Sequence, residues 1–159
     1  MKFIKTGKNV KNARHLLAMV DDEDFDRLNK FSWQARKDKG IIGNISGDGK
    51  KTLMHRYIMK AKHNQEIDHI DGNRLNNQKS NLRFATSSQN KANRGPRKDN
   101  KSGYKGVSWH KQLNKWTVRI MINGKYLSLG LHNDILEAAK AYNKAALKYY
   151  GQFAWLNPV

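Results

Sequence analysis

Hydrophobic positions in this chain come in short clusters between polar turns. Arg14-His15-Leu16-Leu17-Ala18-Met19-Val20 predicts a strand over 14–20. Asp21 or Asp22 can then cap a short helix with Phe25, Leu28 and Phe31 on its buried side. Ser32–Arg36 and Ile41–Ile45 predict strands joined by a turn at Asp38-Lys39-Gly40, and Gly47-Asp48-Gly49 suggests a second hairpin turn. Together these strands form a small antiparallel sheet. Leu53, Tyr57 and Ala61 stand at helical spacing and predict a helix over 53–62, with Arg56 and Lys60 on another face. Ile67–Ile70 reads as a strand that ends in the turn signal Asp71-Gly72-Asn73. Thr86–Asn93 reads as a helix with Thr86 or Ser87 as its N-cap.

The pattern changes after residue 102. Residues 91–102 are basic and almost free of apolar side chains, the composition of a linker, and 95–102 divides 1–94 from 103–159. Gly103–Trp109, Lys115–Ile122 and Lys125–Leu131 predict three strands, the last two joined at Asn123-Gly124. Trp116, Val118 and Ile120 share one face of the middle strand. Asp134 can cap a helix whose apolar face carries Leu136, Ala139, Ala146 and Leu147. Trp116 and Trp155 are core candidates, because a domain this small needs large aromatics to bury enough area. Trp109 fits either a core or a surface.

Charge narrows the function. The 159 residues carry a formal net charge of +18, and the basic excess runs through both halves. Such a field attracts a polyanion, with nucleic acid the leading candidate. No long basic amphipathic helix points to a membrane surface instead. The chain has no cysteine, which excludes disulfides and Cys-ligated zinc and fits a reducing cytoplasm. Met1-Lys2-Phe3-Ile4-Lys5 lacks an apolar signal core, and no run approaches transmembrane length.

Chemistry concentrates at Asp68-His69. Asp68 offers a hard oxygen to a divalent cation, and His69 can take a proton from water. Neighbours on a strand point to opposite faces, so the two divide the labour, one binding the ion and the other activating the nucleophile. Arg56 fits either a clamp on the scissile phosphate or a structural ion pair. The acidic cluster 21–26 fits a metal site or a helix N-terminus whose dipole favours carboxylates. His55 and His63 fit extra ligands or structural histidines.

Met54-His55-Arg56 through Asn93 resembles the HNH (ββα-metal) endonucleases, specifically the phage-type homing nucleases. Asp68-His69, Asn76-Asn77, Asn81-Leu82-Arg83 and Gln89-Asn90 carry the resemblance. It implies an α+β fold with a small ββα-metal (His-Me finger) nuclease domain. It also implies His69 as general base, Asn81 as brace of the loop holding that histidine, and Asp68 with Asn90 as metal ligands. Many members have His where this chain has Asn90, which makes an H-N-N variant and favours Mg²⁺, with Mn²⁺ tolerated, over zinc. Asn93, one turn on, is a second candidate ligand.

Tyr104-Lys105-Gly106-Val107, Lys115-Trp116, Leu129-Gly130, Glu137–Tyr142 and Leu156-Asn157-Pro158 resemble the plant-type APETALA or ethylene-response-factor DNA-binding domain. The resemblance implies a three-stranded antiparallel sheet packed on one helix. It puts Lys105, Ser108, His110, Arg119, Tyr126 and Ser128 on the DNA face. The basic residues Arg94, Arg97 and Lys98 of the linker add phosphate contacts.

Together these features predict a metal-dependent, homing-type endonuclease acting on double-stranded DNA as a monomer or weak dimer. Its expected place is the cytoplasm of a cell hosting a phage or mobile element. Loss of 103–159 is expected to weaken binding and leave some cutting. A non-catalytic DNA-binding regulator with a decayed nuclease domain is the alternative from another class, and a basic RNA-binding protein is a second.

Overall fold

The computed structural model describes residues 1–7, 16–36, 40–44 and 51–159. The start of the expected 14–20 strand, the turn at Asp38-Lys39 and the turn at Gly47-Asp48-Gly49 lie outside the described residues. The chain divides into two compact units, Met1–Ala85 and Thr86–Val159. Both mix small antiparallel sheets with few helices.

In the first unit, strand β1 (Lys2–Lys5) pairs antiparallel with β2 (Leu17–Val20). Helix α1 (Asp22–Leu28) follows, and β3 (Trp33–Arg36), β4 (Gly40–Asn44) and β5 (Lys51–Leu53) form a sheet in that order. Gly43 lies opposite Trp33 in this sheet. A Cβ at Gly43 would stand 2.7 Å from the indole and 2.8 Å from the Ser32 carbonyl, so only glycine fits. Helix α2 (Met54–Ile58) is shorter than the expected 53–62. Leu53 pairs with Ile42 at the end of β5, and Lys60 takes a left-handed φ of 50° just past the helix. Met54 and Ile58 are its fully buried residues, and Tyr57 and Ala61 pack half-buried against the same core. Strand β6 (Glu66–His69) pairs antiparallel with β7 (Leu82–Ala85), and a 3-10 turn, Lys79–Asn81, leads into β7. Ile4, Val20, Leu28, Trp33, Ile41, Met54, Ile67 and Leu82 make one core beneath these elements.

The second unit begins with α3 (Ser87–Ala92), whose N-cap Thr86 and Gln89 form a capping box. Strands β8 (Val107–His110), β9 (Lys115–Ile122) and β10 (Lys125–His132) form an antiparallel sheet with β9 in the middle. The first of them starts later than the expected 103, because Gly103 and Gly106 both adopt positive φ. A Cβ on Gly106 would fall 2.2 Å from the Tyr142 ring. Helix α4 (Ile135–Tyr150) lies on the sheet, capped by Asp134, which accepts from the backbone N–H groups of Leu136 and Glu137. Its buried face is Ala138, Ala139, Tyr142, Ala145 and Ala146, against Val107, Val118 and Ile120. The expected apolar face is corrected at two positions, since Leu136 and Leu147 are about half exposed, at 45% and 52%. Small alanines let the helix approach the sheet closely, and the two leucines flank that contact.

Candidate active site

The pairing of β6 with β7 sets Asp68 opposite Arg83 and His69 opposite Leu82. Strand alternation sends Asp68 and His69 to opposite faces, yet both are buried, at 6% and 7% exposed. Each side chain meets different partners. Arg83 donates from Nε (2.9 Å) and Nη2 (2.7 Å) to Asp68 Oδ2. His69 Nε2 lies 3.4 Å from Asn77 Oδ1. Asn77 is fully buried, and its Nδ2 donates to the Arg74 and Leu75 carbonyls at 3.3 and 3.2 Å. Those two bonds orient the amide so that Oδ1 must accept. His69 Nε2 therefore carries the proton, and the lone pair sits on Nδ1.

His55 on α2 meets the His69 ring edge-to-face, with centroids 5.0 Å apart. Burial, reinforced by His69, Arg56 and Arg74, pulls its pKa down to about 3. Its Nδ1 is buried without a hydrogen-bond partner. Burial also lowers the pKa of His69, opposed by the Asn77 bond and by the charges of Asp71 and Asp68. Both rings are thus neutral at pH 7, and His69 is in the form that accepts a proton.

Asn81 ties the loop after His69. Its Nδ2 donates to Asp71 Oδ1 (2.8 Å) and to the Asn76 carbonyl (2.9 Å), and its Oδ1 accepts from the Asp71 N–H (3.0 Å). The Ile70 N–H donates to the Asn81 carbonyl at 2.9 Å. Asp71 receives further bonds from Asn73 N–H and Asn76 Nδ2. Burial raises the Asp71 pKa, but these hydrogen bonds outweigh it and keep the group in its carboxylate form.

The acidic cluster at α1 serves the same loop. Asp21 caps no helix with its side chain; it accepts from the Lys79 N–H at 2.8 Å and from Gln78 Nε2 at 3.3 Å. Lys79 Nζ pairs with Glu23 and lies 3.5 Å from Asp24. Asp21, Glu23 and Asp24 bring carboxylate oxygens within 4.8 Å of one another, but Lys79 and Arg27 already supply the countercharge. Arg56 donates its guanidinium to the Gln65, Lys62 and His63 carbonyls, bracing the loop that enters β6. His63 is exposed.

Asn90 lies on α3 and Asn93 is that helix's C-cap, both in the second unit. There α3 packs against α4, the Trp155 N–H donates to the Ala92 carbonyl at 3.2 Å, and Ser88 Oγ is 3.4 Å from the Tyr150 hydroxyl. Arg94, Arg97 and Lys98 are exposed in the segment beyond α3, which is free of helix and strand as far as β8.

On the sheet, cross-strand register pairs Ser108 with Thr117, His110 with Lys115, Ser128 with Arg119 and Tyr126 with Met121. These residues share the face turned away from the Val107, Val118 and Ile120 contact with α4. Arg119 lies over the Tyr126 ring at 5.5 Å. Trp109 packs edge-on against Trp116, with half its surface exposed. Lys105 does not join the open face. Its ammonium donates to the Ala92 carbonyl at the C-terminal end of α3, and burial, with the charge of Arg94, pulls its pKa to about 8. Asn157 fixes the Lys105 backbone from both sides, accepting its N–H at 2.7 Å and donating to its carbonyl at 3.2 Å.

Sequence reading gave Arg83 and Asn77 no individual role in this site and left His55 between an extra ligand and a structural histidine. Arg83 and Asn77 stood in the motif only as letters; pairing Arg83 with Asp68 requires the hairpin register, which a loop of this length leaves open.

Residues 53–92 match the HNH endonuclease family and residues 102–152 match the AP2 domain. Protein 3.8 of Escherichia phage T7 is 39% identical over 92 residues, covering 55% of this chain and 72% of the relative. The uncharacterized HNH endonuclease L560 of Acanthamoeba polyphaga mimivirus is 31% identical over 148 residues, covering 89% of this chain and 75% of the relative. The ethylene-responsive transcription factor WRI1 of Arabidopsis thaliana is 43% identical over 58 residues, 35% of this chain and 14% of that protein. Among the described residues, no helix is long and apolar enough to cross a membrane.

Proposed function

Because the chain belongs to the HNH endonuclease family and carries an AP2 domain behind its HNH segment, we propose that it is a metal-dependent, homing-type DNA endonuclease. It hydrolyses a phosphodiester with His69 as general base and one divalent cation held by Asp68 and Asn90. The observation that carries this reading is the buried Asp68-His69 pair on β6, with the loop behind it tied by Asn81.

The donor set fits a hard ion. Arg83 donates to Asp68 Oδ2 from Nε and Nη2, and a carboxylate offers about four lone-pair sites over two oxygens, so a carboxylate held by an arginine can still ligate an ion. A carboxylate with a side-chain amide oxygen suits Mg²⁺, and Mn²⁺ in its place, better than a soft metal. When bound, the ion would stabilise charge developing on the phosphate and the leaving oxygen. Arg83 holds the carboxylate in one orientation. Asn77 Oδ1 accepts the hydrogen bond from His69 Nε2–H, so Nδ1 receives the proton of the attacking water. Asn81 keeps the loop behind His69 from shifting, and Arg56 braces the loop that enters β6. The open face of the C-terminal sheet, with Arg94, Arg97 and Lys98, holds the duplex mainly through phosphates. One nuclease motif per chain gives one nick per binding event. The setting is the cytoplasm of a cell that hosts a phage or mobile element.

The test is incubation with supercoiled plasmid carrying candidate target DNA, with Mg²⁺ or with EDTA, beside His69→Ala. Nicked product with Mg²⁺ alone, lost in the variant while DNA binding persists, is expected. Full cleavage by His69→Ala would remove that residue from the role. Retarded but uncut DNA under every divalent ion would favour a DNA-binding regulator.

A further inference from the structure

A second basic feature of the first unit has no part in that chemistry. A cleft of about 480 Å³ opens beside α2, lined by Arg27, Thr52, Arg56, Tyr57, Lys60 and His63. None of its described lining residues is acidic. The Arg27 charge is met by Asp24, whose Oδ1 accepts from its Nε and Nη2, and Nη2 also reaches the Ile58 carbonyl at 3.4 Å. The Arg56 charge is not cancelled in this way. Three carbonyls satisfy its donors, but carbonyls carry no net charge, so the cleft keeps its positive field.

Lys60 is the informative member. It is exposed, and its ammonium makes no ion pair or hydrogen bond among the described residues. Its backbone sits at φ 50°, the left-handed conformation that glycine adopts without penalty and lysine does not. Folding alone would be served better by glycine there. A residue whose backbone is penalised and whose ammonium has no partner among the described residues points to a ligand outside the protein.

We propose that this cleft binds a phosphodiester of the DNA backbone, away from Asp68 and His69. Lys60 pairs directly with the phosphate, Arg56 supplies field, and the hydroxyls of Thr52 and Tyr57 donate hydrogen bonds. Helix α2 links the two places. His55 packs on His69 from one face of the helix, Arg56 and Tyr57 line the cleft from others, and Lys60 joins them from the turn just past its C-terminal end. A phosphate held in the cleft therefore sets the register of the duplex against His69. Only the choice of DNA as ligand rests on the nuclease reading.

The experiment is fluorescence anisotropy of a labelled duplex with the full chain in EDTA, from 50 to 200 mM salt, comparing wild type, Lys60→Gly and Lys60→Arg. Thermal unfolding of each is followed with and without inorganic phosphate. Loss of one phosphate contact lowers the slope of log affinity against log salt by about 0.9. The expected result is that drop for Lys60→Gly, with binding weakened roughly 3- to 10-fold near 0.1 M salt on the same basis. Lys60→Arg should retain the wild-type slope, and Lys60→Gly should melt no lower than wild type. An unchanged slope in Lys60→Gly would overturn the site. A lower melting point for Lys60→Gly would overturn it too, because the side chain would then serve the fold. Stabilisation by free phosphate that depends on Lys60, with duplex binding unaltered, would make it a small-anion site and overturn the assignment to DNA. Binding is read in EDTA, so uncut plasmid in the cleavage assay would defeat the nuclease reading alone.

Discussion

At the scale of the residue, His55 makes the most distinctive prediction. Its pKa of about 3 in the folded chain lies below the 6.5 of a free histidine because it is buried against His69 near Arg56 and Arg74. A folded-state pKa below the unfolded one means that the unfolded chain binds more protons in acid. Stability is therefore complete above pH 6.5 and falls as pH drops from there towards 3, by up to about 1.4 kcal/mol per pH unit. Urea unfolding at pH 7 and pH 5 should differ by about 2 kcal/mol from this histidine alone. In His55→Leu that share of the difference should vanish; an undiminished difference would place the titration elsewhere. The same reasoning puts the acid limb of cleavage below pH 6.5, since burial lowers His69 as well. Asn81→Ala leaves the Asp71 N–H and the Asn76 carbonyl without their partner. It should cost about 1–3 kcal/mol, read by urea unfolding, and slow cutting with it. Asp68 and His69 were legible as candidates from residue type and spacing, and Asn81 only through the family resemblance. The contacts of Asn77, Arg83 and His55 were not legible, because each is one that only the fold makes.

At the scale of the element, α3 carries the second expected ligand, and its packing partners lie in α4 and around Trp155. Six residues are too few to hold a helix by propensity alone. Removing 103–159 should therefore unravel α3 and abolish cutting, where the sequence suggested residual activity; metal-dependent nicking by purified 1–102 would contradict this. Helix α4 illustrates the limits of periodicity. Leu136 and Leu147 looked like core, yet the buried stripe centres on four alanines, which let the helix lie close to the sheet, and on Tyr142, whose ring finds room over Gly106. Gly106 marks the same contact. Gly106→Ala puts a methyl into the Tyr142 ring at a positive φ and should destabilise the C-terminal unit by about 3 kcal/mol, seen as a lower melting temperature.

At the scale of the whole molecule, a net charge of +18 spread over both units makes DNA affinity steeply salt-dependent. Raising salt from 50 to 200 mM should weaken binding by about 10³-fold or more if six or more phosphates are engaged; a shallow dependence would argue against phosphate-dominated binding. The sequence by itself pointed to a polyanion partner, to the three strands and capped helix of the C-terminal half, to the turn at Asn123-Gly124 and to the Asp68-His69 pair, since each follows from composition, period 2 or 3.6 patterning, or local turn chemistry. It did not show the strands at Lys2–Lys5, Lys51–Leu53 and Leu82–Ala85, and the Asn81 and Asn90 roles came from the family resemblance. Tertiary structure alone decided which side chains meet. It set Arg83 on Asp68 through a hairpin register, packed His55 edge-to-face on His69 from a helix ahead of that hairpin, and turned the Asp21, Glu23 and Asp24 carboxylates onto the turn before Asn81. It also drew Lys105 away from the open face to the end of α3. Contacts between residues distant along the chain depend on register and closure, which local patterns do not encode.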